Sequence, residues 1–277
     1  MTARAFVPGH VTGFFSVHAH DDPVVAGSRG AGLALSDGVT VTVDPVETVG
    51  DGGVVLDGDS VEMPAVTGVV ERLGTDARVV AETDLPISAG FGVSGACALG
   101  TALALDAATA GGHTERELVA VAHASEVEAG TGLGDVVGQA RGGMPIRLDP
   151  GAPPRGYLDG LPARPDVEYV TFGGLDTAEV IGGDTETLSR AGEEALETLR
   201  TSPTVETFMR ACRRFSREAG LQTDEVRAAI EDVQSVGGEA AMAMLGQTVF
   251  ALDDGLSRAG YDARSCRVTA GATLVGE

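Results

Sequence analysis

Lysine is absent, and all 19 cationic residues of the 277-residue chain are arginine. The lysine-bearing phosphate loop, G-x-x-x-x-G-K-[ST], is therefore excluded. Tryptophan is also missing, and the three cysteines, Cys97, Cys212 and Cys266, lie far apart with no C-x-x-C spacing. They make neither a zinc site nor a disulfide framework, and are expected as small buried residues. No stretch approaches the roughly 18 apolar residues of a membrane span, and Met1 to Val7 lacks the apolar core of a signal peptide, so a cytoplasmic location is expected. Positive charge is scarce: the formal net charge is −22. Such a chain repels nucleic-acid phosphate and anionic membrane, which removes both as partners. Dense carboxylates, no lysine and abundant Gly and Ala match adaptation to a very salty cytosol, as in a halophile, where salt screens the mutual repulsion. A lone acidic residue is accordingly read first as solvated surface.

Against that background, Asp84-Leu85-Pro86-Ile87-Ser88-Ala89-Gly90-Phe91-Gly92-Val93-Ser94-Gly95-Ala96 stands out. Glycines here allow positive φ and close approach to an anion, and the N–H groups opening the helix that follows lie at the positive end of its dipole. A polyphosphate is the expected ligand. The G-x-G-x-x-G turn of a dinucleotide-binding dehydrogenase belongs near the first strand with an acid about 20 residues on. This loop sits at residue 90, and Asp106 falls inside a helix.

The early alternation of Gly32 to Leu35 and Val39 to Val43, with Ser36-Asp37-Gly38 between, predicts a hairpin. A short strand follows between the Asp51-Gly52-Gly53 and Asp57-Gly58-Asp59 clusters. Ala65, Val66, Val69, Val70 and Leu73 then share a helical face, and Arg78 to Ala81 forms a strand leading into the glycine loop. Helices are expected over 95–110 and, from the Thr114/Glu117 capping box, up to Glu128. Gly130 to Gly134 ends the latter, and Gly142-Gly143 introduces a strand through Leu148. Pro150 to Pro165 holds five prolines and reads as a connection, dividing the chain into 1–152 and 153–277. Beyond it a strand at 167–172, helices near 184–200, 204–219 and 223–236, and a last strand pair near 248–252 and 267–269 complete an α+β fold.

Ser94 is either a plain helix N-cap or a hydroxyl ligand to Mg²⁺. Glu126 and Glu128 end the preceding helix two residues apart, diverging by about 200°, so only one can face the same pocket; Glu126 is preferred. Asp135 lies in a glycine run and reads either as a turn former or as the acceptor of a substrate hydroxyl proton. His10, His18 and His20 cluster with Asp21 and Asp22 but lack converging metal geometry, which leaves His10 and His18 for anion or substrate hydrogen bonding. Arg29, within Gly27-Ser28-Arg29-Gly30-Ala31-Gly32, suits a carboxylate, and Arg141 is a second candidate.

Pro86, Gly90, Gly92, Ser94, Gly95 and Ala96 fulfil the pattern P-x-x-x-G-x-G-x-S-[SG]-A, and with Pro8-Gly9-His10-Val11-Thr12-Gly13 and Asp135 ahead of Gly142-Gly143 the chain resembles the GHMP kinases over most of its length. That resemblance implies a two-domain α+β fold: an amino-terminal domain like ribosomal protein S5 domain 2 and a ferredoxin-like carboxy-terminal domain, with ATP and acceptor between them. It implies ATP and Mg²⁺ as cofactors, residues 86 and 88–96 around the phosphates, Ser94 and Glu126 on the metal, and Asp135 as catalytic proton acceptor. His10, Thr12, His18, Arg29 and Arg141 then fall to the acceptor side. The expected partner is a small-molecule alcohol such as a hydroxy acid, with at most a second copy of the chain in a homodimer. Two departures stand out. Many relatives carry a lysine where this chain has His10, and of the third motif, K-x-T-G-A-G-x-G-G, only Gly246 within Ala243 to Thr248 corresponds.

Overall fold

The computed structural model describes residues 1–46, 52–174 and 185–276. Two antiparallel-rich sheets organise them. The first contains β1 (Ala3–His18), β2 (Gly27–Pro45), β3 (Gly53–Leu56), β4 (Asp59–Val61), β5 (Ala77–Thr83), β6 (Met144–Asp149), β7 (Tyr157–Leu161) and β12 (Thr273–Val275), with the order β12-β1-β2-β5-β3-β4, while β6 joins β2 to β7. Its helices are α1 (Pro64–Leu73), α2 (Val93–Thr109), α3 (Glu115–Ala129) and the short α4 (Asp135–Arg141). The second sheet, ordered β11-β8-β10-β9, comprises β8 (Asp166–Gly174), β9 (Ala240–Ala243), β10 (Gly246–Leu252) and β11 (Arg264–Arg267). It carries α5 (Glu186–Thr201), α6 (Val205–Glu218), α7 (Asp224–Ser235) and the single turn α8 (Gly255–Arg258).

The expected helices and most strands are present, including the Thr114/Glu117 capping box at the start of α3. The expected early hairpin is not. Residues 27–45 form one strand, because Ser36 and Asp37 are absorbed as a bulge: Pro8 pairs with Gly38 while Gly9 pairs with Leu35. A bulge uses the same polar, flexible residues as a turn but only bends the strand. The true partner of β2 is β1, whose alternation is hidden because its central residues are buried on both faces. Phe14 and Phe15 of β1 meet Phe208 and Phe215 of α6, with ring centroids 6.1 and 5.8 Å apart, so this hairpin is shared by both layers. Leaving two such aromatic clusters exposed would forfeit roughly 2 kcal/mol per ring.

The last strand pair is also rearranged. β10 pairs with β8 and β9, and β11 runs over 264–267 on the other side of β8. The proline-rich connection carries β7, which pairs with β6, and the chain returns to the first sheet as β12 beside β1. Among the described residues, no helix is long and apolar enough to cross a membrane.

Candidate active site

The glycine loop lies between β5 and α2 and lines a cavity of about 520 Å³. Ser88 and the residues from Gly90 to Gly95 face it; Pro86, Ala89 and Ala96 do not. Gly90 has φ +89° and Gly92 +63°, the left-handed region that the sequence pattern required. Gly92 is the N-cap of α2 and has no side chain to cover the helix end. The first intrahelical donor is the Ala96 N–H, bonded to Gly92 O at 2.9 Å. The preceding N–H groups therefore present their dipole end to the cavity. Ala89 supports the loop from behind, its carbonyl accepting the Thr248 hydroxyl at 2.8 Å. The third-motif segment thus contributes Met244 and Leu245 to the cavity wall and Thr248 to its scaffold.

A Cβ at Gly90 would lie 2.7 Å from Met244 O, in addition to its unfavourable φ. Gly90→Ala is expected to raise the KM for ATP about tenfold, from roughly 1–3 kcal/mol of loop strain; an ATP titration at saturating acceptor checks it.

Ser94 is the second residue of α2 and caps nothing. Its hydroxyl donates to Glu126 Oε1 at 2.5 Å, and the Thr131 hydroxyl donates to the same oxygen at 3.0 Å. Glu128 turns away to solvent and pairs with Arg72 at 2.5 Å, so the helical divergence selects Glu126. Burial pushes the Glu126 carboxyl up to about 7, opposed by the Ser94 and Thr131 hydrogen bonds and aided by the Asp135 charge. A buried carboxylate beside a hydroxyl on an open cavity is an all-oxygen donor set that fits Mg²⁺, which takes one or two protein oxygens plus phosphates and water. A carboxyl with a raised folded pKa stabilises the fold below its unfolded value near 4.5 and loses that contribution as pH rises through about 7. Glu126→Gln is expected to remove this part of the decline in Tm between those pH values, measured without ligand.

Asp135 begins α4 rather than occupying a loop. Its Oδ1 is held by His10 Nδ1 at 2.8 Å and receives the Thr12 hydroxyl at 3.3 Å. Burial alone would raise its carboxyl, but the His10 hydrogen bond, the Arg147 charge and the Thr12 hydroxyl outweigh it and hold Asp135 below the usual carboxylate range. One turn further along α4, Gln139 Nε2 donates to Gly92 O at 2.8 Å, tying the Asp135 helix to the phosphate loop. Thr12 lines the cavity with Asp135; His10 is fully buried behind it.

Arg147 is absent from the sequence-derived candidates. It is 2% exposed, and its Nε and Nη1 have no hydrogen-bond partner among the described residues. A Cβ on Gly134, next to Asp135, would lie 2.7 Å from Arg147 Nε and 2.4 Å from Ser28 Oγ, so this glycine makes room for the guanidinium. The available signal was a single arginine inside the apolar strand Met144-Pro145-Ile146-Arg147-Leu148. Arg29, by contrast, is engaged: Nη1 pairs with Glu193 at 2.5 Å and Nε donates to Leu148 O at 2.7 Å. His18 joins the same Glu193 at 3.1 Å, away from the cavity lining. Arg141 is exposed and bonds Gly142 O at 3.1 Å. These three are not brought to Asp135.

Residues 63–143 match the family model of the GHMP kinases N terminal domain. The chain is 36% identical over 265 residues to a pantoate kinase of Thermococcus kodakarensis, covering 91% of this chain and 88% of that protein. The chain belongs to the GHMP kinases. A pantoate kinase of Methanocaldococcus jannaschii is 32% identical over 256 residues, covering 89% of this chain and 91% of its own. Among solved structures, a phosphotransferase related to the CoA biosynthesis pathway superposes with a TM-score of 0.88 at 31% identity, covering 99% of both chains. The two-domain α+β architecture expected of a GHMP kinase is therefore present in this chain, and ATP is the family's phosphoryl donor.

Proposed function

We propose that this GHMP kinase transfers the γ-phosphoryl group of ATP to the primary hydroxyl of pantoate, giving 4-phosphopantoate for coenzyme A biosynthesis in the cytoplasm of a salt-adapted archaeon. The observation that carries the reading is the placement of Asp135 on the phosphate cavity with the buried Arg147 beside it, whose Nε and Nη1 have no hydrogen-bond partner among the described residues. Buried guanidinium N–H groups left without hydrogen bonds are costly even with the Asp135 charge nearby, so they favour a second anion in the liganded protein. A substrate carboxylate supplies one, through two parallel charge-assisted hydrogen bonds.

Backbone N–H groups of the glycine loop and the start of α2 cradle the phosphates. Ser94 and Glu126 would hold Mg²⁺, which would supply neutralisation of the phosphate charge. Asp135 takes the proton of the acceptor hydroxyl through Oδ2, since Oδ1 is already occupied by His10 and Thr12. Arg147, rather than Arg29, grips the carboxylate, with the Ser28 hydroxyl near its guanidinium. Phosphoryl transfer asks mainly for positioning and charge neutralisation, which this inventory supplies.

A coupled assay of ATP consumption in high potassium chloride, offering pantoate, homoserine and mevalonate separately, tests the acceptor. Turnover with pantoate alone is expected; turnover with homoserine or mevalonate and none with pantoate would overturn the assignment.

A further inference from the structure

His10 is enclosed on every side. Thr12 of β1 lies 3.4 Å from Nδ1, Asp135 of α4 accepts at 2.8 Å, and the His10 backbone N–H is bonded to Phe91 O at 2.9 Å. Gly32 of β2 and Gly138 of α4 press on the opposite edge of the ring: a Cβ on either would come within 2.6 Å of Nε2. Nε2 is buried and has no hydrogen-bond partner among the described residues. The charged groups acting on the ring are Asp135 and, from β6, Arg147.

These contacts fix the protonation of the ring. A proton on Nε2 would point into the two glycine backbones with no acceptor, whereas a proton on Nδ1 points at a carboxylate. Burial lowers the imidazole below its ordinary value, outweighing the raising effect of Asp135, and the Arg147 charge works in the same direction. The ring is therefore neutral and carries its proton on Nδ1.

We propose that His10 is a positioning residue for the phosphoryl transfer: a neutral imidazole whose Nδ1–H holds Asp135 Oδ1 and so presents Oδ2 to the acceptor hydroxyl. It rests on the reading of Asp135 as proton acceptor. Its consequence is electrostatic as well as geometric. An ammonium group here would set a second cation beside Arg147 against one carboxylate and depress its basicity further. A neutral donor orients the carboxylate and leaves the net charge of the acceptor pocket to Arg147 and the substrate.

The test combines nitrogen NMR of histidine-labelled protein with kinetics of His10→Ala and His10→Asn, the latter retaining an amide N–H donor. The His10 ring is expected to show a protonated, pyrrole-type Nδ1 and a bare, pyridine-type Nε2 across the neutral pH range. His10→Ala is expected to lower kcat about 10²-fold, the scale of a misplaced reacting group, with the KM for ATP unchanged. Its acid limb of kcat should move to higher pH, because a hydrogen bond that favours the carboxylate is gone. His10→Asn is expected to recover most of the rate. An imidazolium, a proton on Nε2, or a His10→Ala enzyme with wild-type kcat and an unmoved acid limb would overturn the proposal. Should His10→Ala not fold, the spectrum of the unaltered protein decides it. Undiminished turnover by Asp135→Asn would instead sink the reading of Asp135 while leaving the tautomer as found.

Discussion

Asp135→Asn is expected to lower kcat about 10³-fold, within the range that a positioned general base contributes, with ATP binding retained. The carboxylate is replaced by an amide of the same shape, so the His10 and Thr12 neighbours, the α4 helix and the phosphate loop all remain. What disappears is the Asp135 oxygen that takes the proton, while Glu126, bonded through Oε1 to Ser94 and Thr131, stays in place. Steady-state kinetics with pantoate, together with ATP binding by calorimetry, separate the two effects. Equal loss of ATP affinity would place Asp135 in nucleotide binding instead. An unchanged kcat would remove it from the chemistry and leave a nucleotide-binding protein whose catalytic group lies elsewhere.

Arg147→Met is expected to act chiefly on function. Two charge-assisted hydrogen bonds of about 2 kcal/mol each correspond to a fall in kcat/KM for pantoate of about 10³-fold. The KM for ATP should stay within about twofold, because Arg147 is not among the residues lining the phosphate cavity. Without substrate, the same change removes buried N–H groups that have no hydrogen-bond partner among the described residues and fills the space with an apolar chain. The same change also takes away the charge that helps keep the buried Asp135 carboxylate ionised, which offsets that gain, so Tm should change by only a few degrees. A larger fall in Tm with unchanged pantoate kinetics would make Arg147 a structural residue and return the carboxylate to another partner.

How much of this was legible in the chain follows sequence distance. The phosphate loop is a contiguous run whose function depends on local turn chemistry, so the positive φ of Gly90 and Gly92 and the exposed start of α2 follow from residue order alone. The preference for Glu126 over Glu128 likewise depends on helical geometry, which is local, and their observed divergence agrees. The acceptor side is different. His10 and Asp135 meet across 125 positions, and Arg29 is taken out of play by Glu193, 164 positions away. No spacing rule connects such pairs. Arg147 was hidden for a related reason: a single arginine in a short apolar strand looks like an edge residue until β6 is seen to lie between β2 and β7. The Ser36-Asp37-Gly38 segment misled because bulge and turn share a composition, and only the pairing of β1 along all of β2 distinguishes them.

Phosphorus NMR of the reaction mixture reads directly which hydroxyl of the hydroxy acid is phosphorylated. With pantoate, ATP and Mg²⁺ in high potassium chloride, a new phosphomonoester signal is expected, split into a triplet by the two protons of the primary carbinol and growing in step with ADP. A doublet from the secondary carbinol, or inorganic phosphate alone, would contradict it.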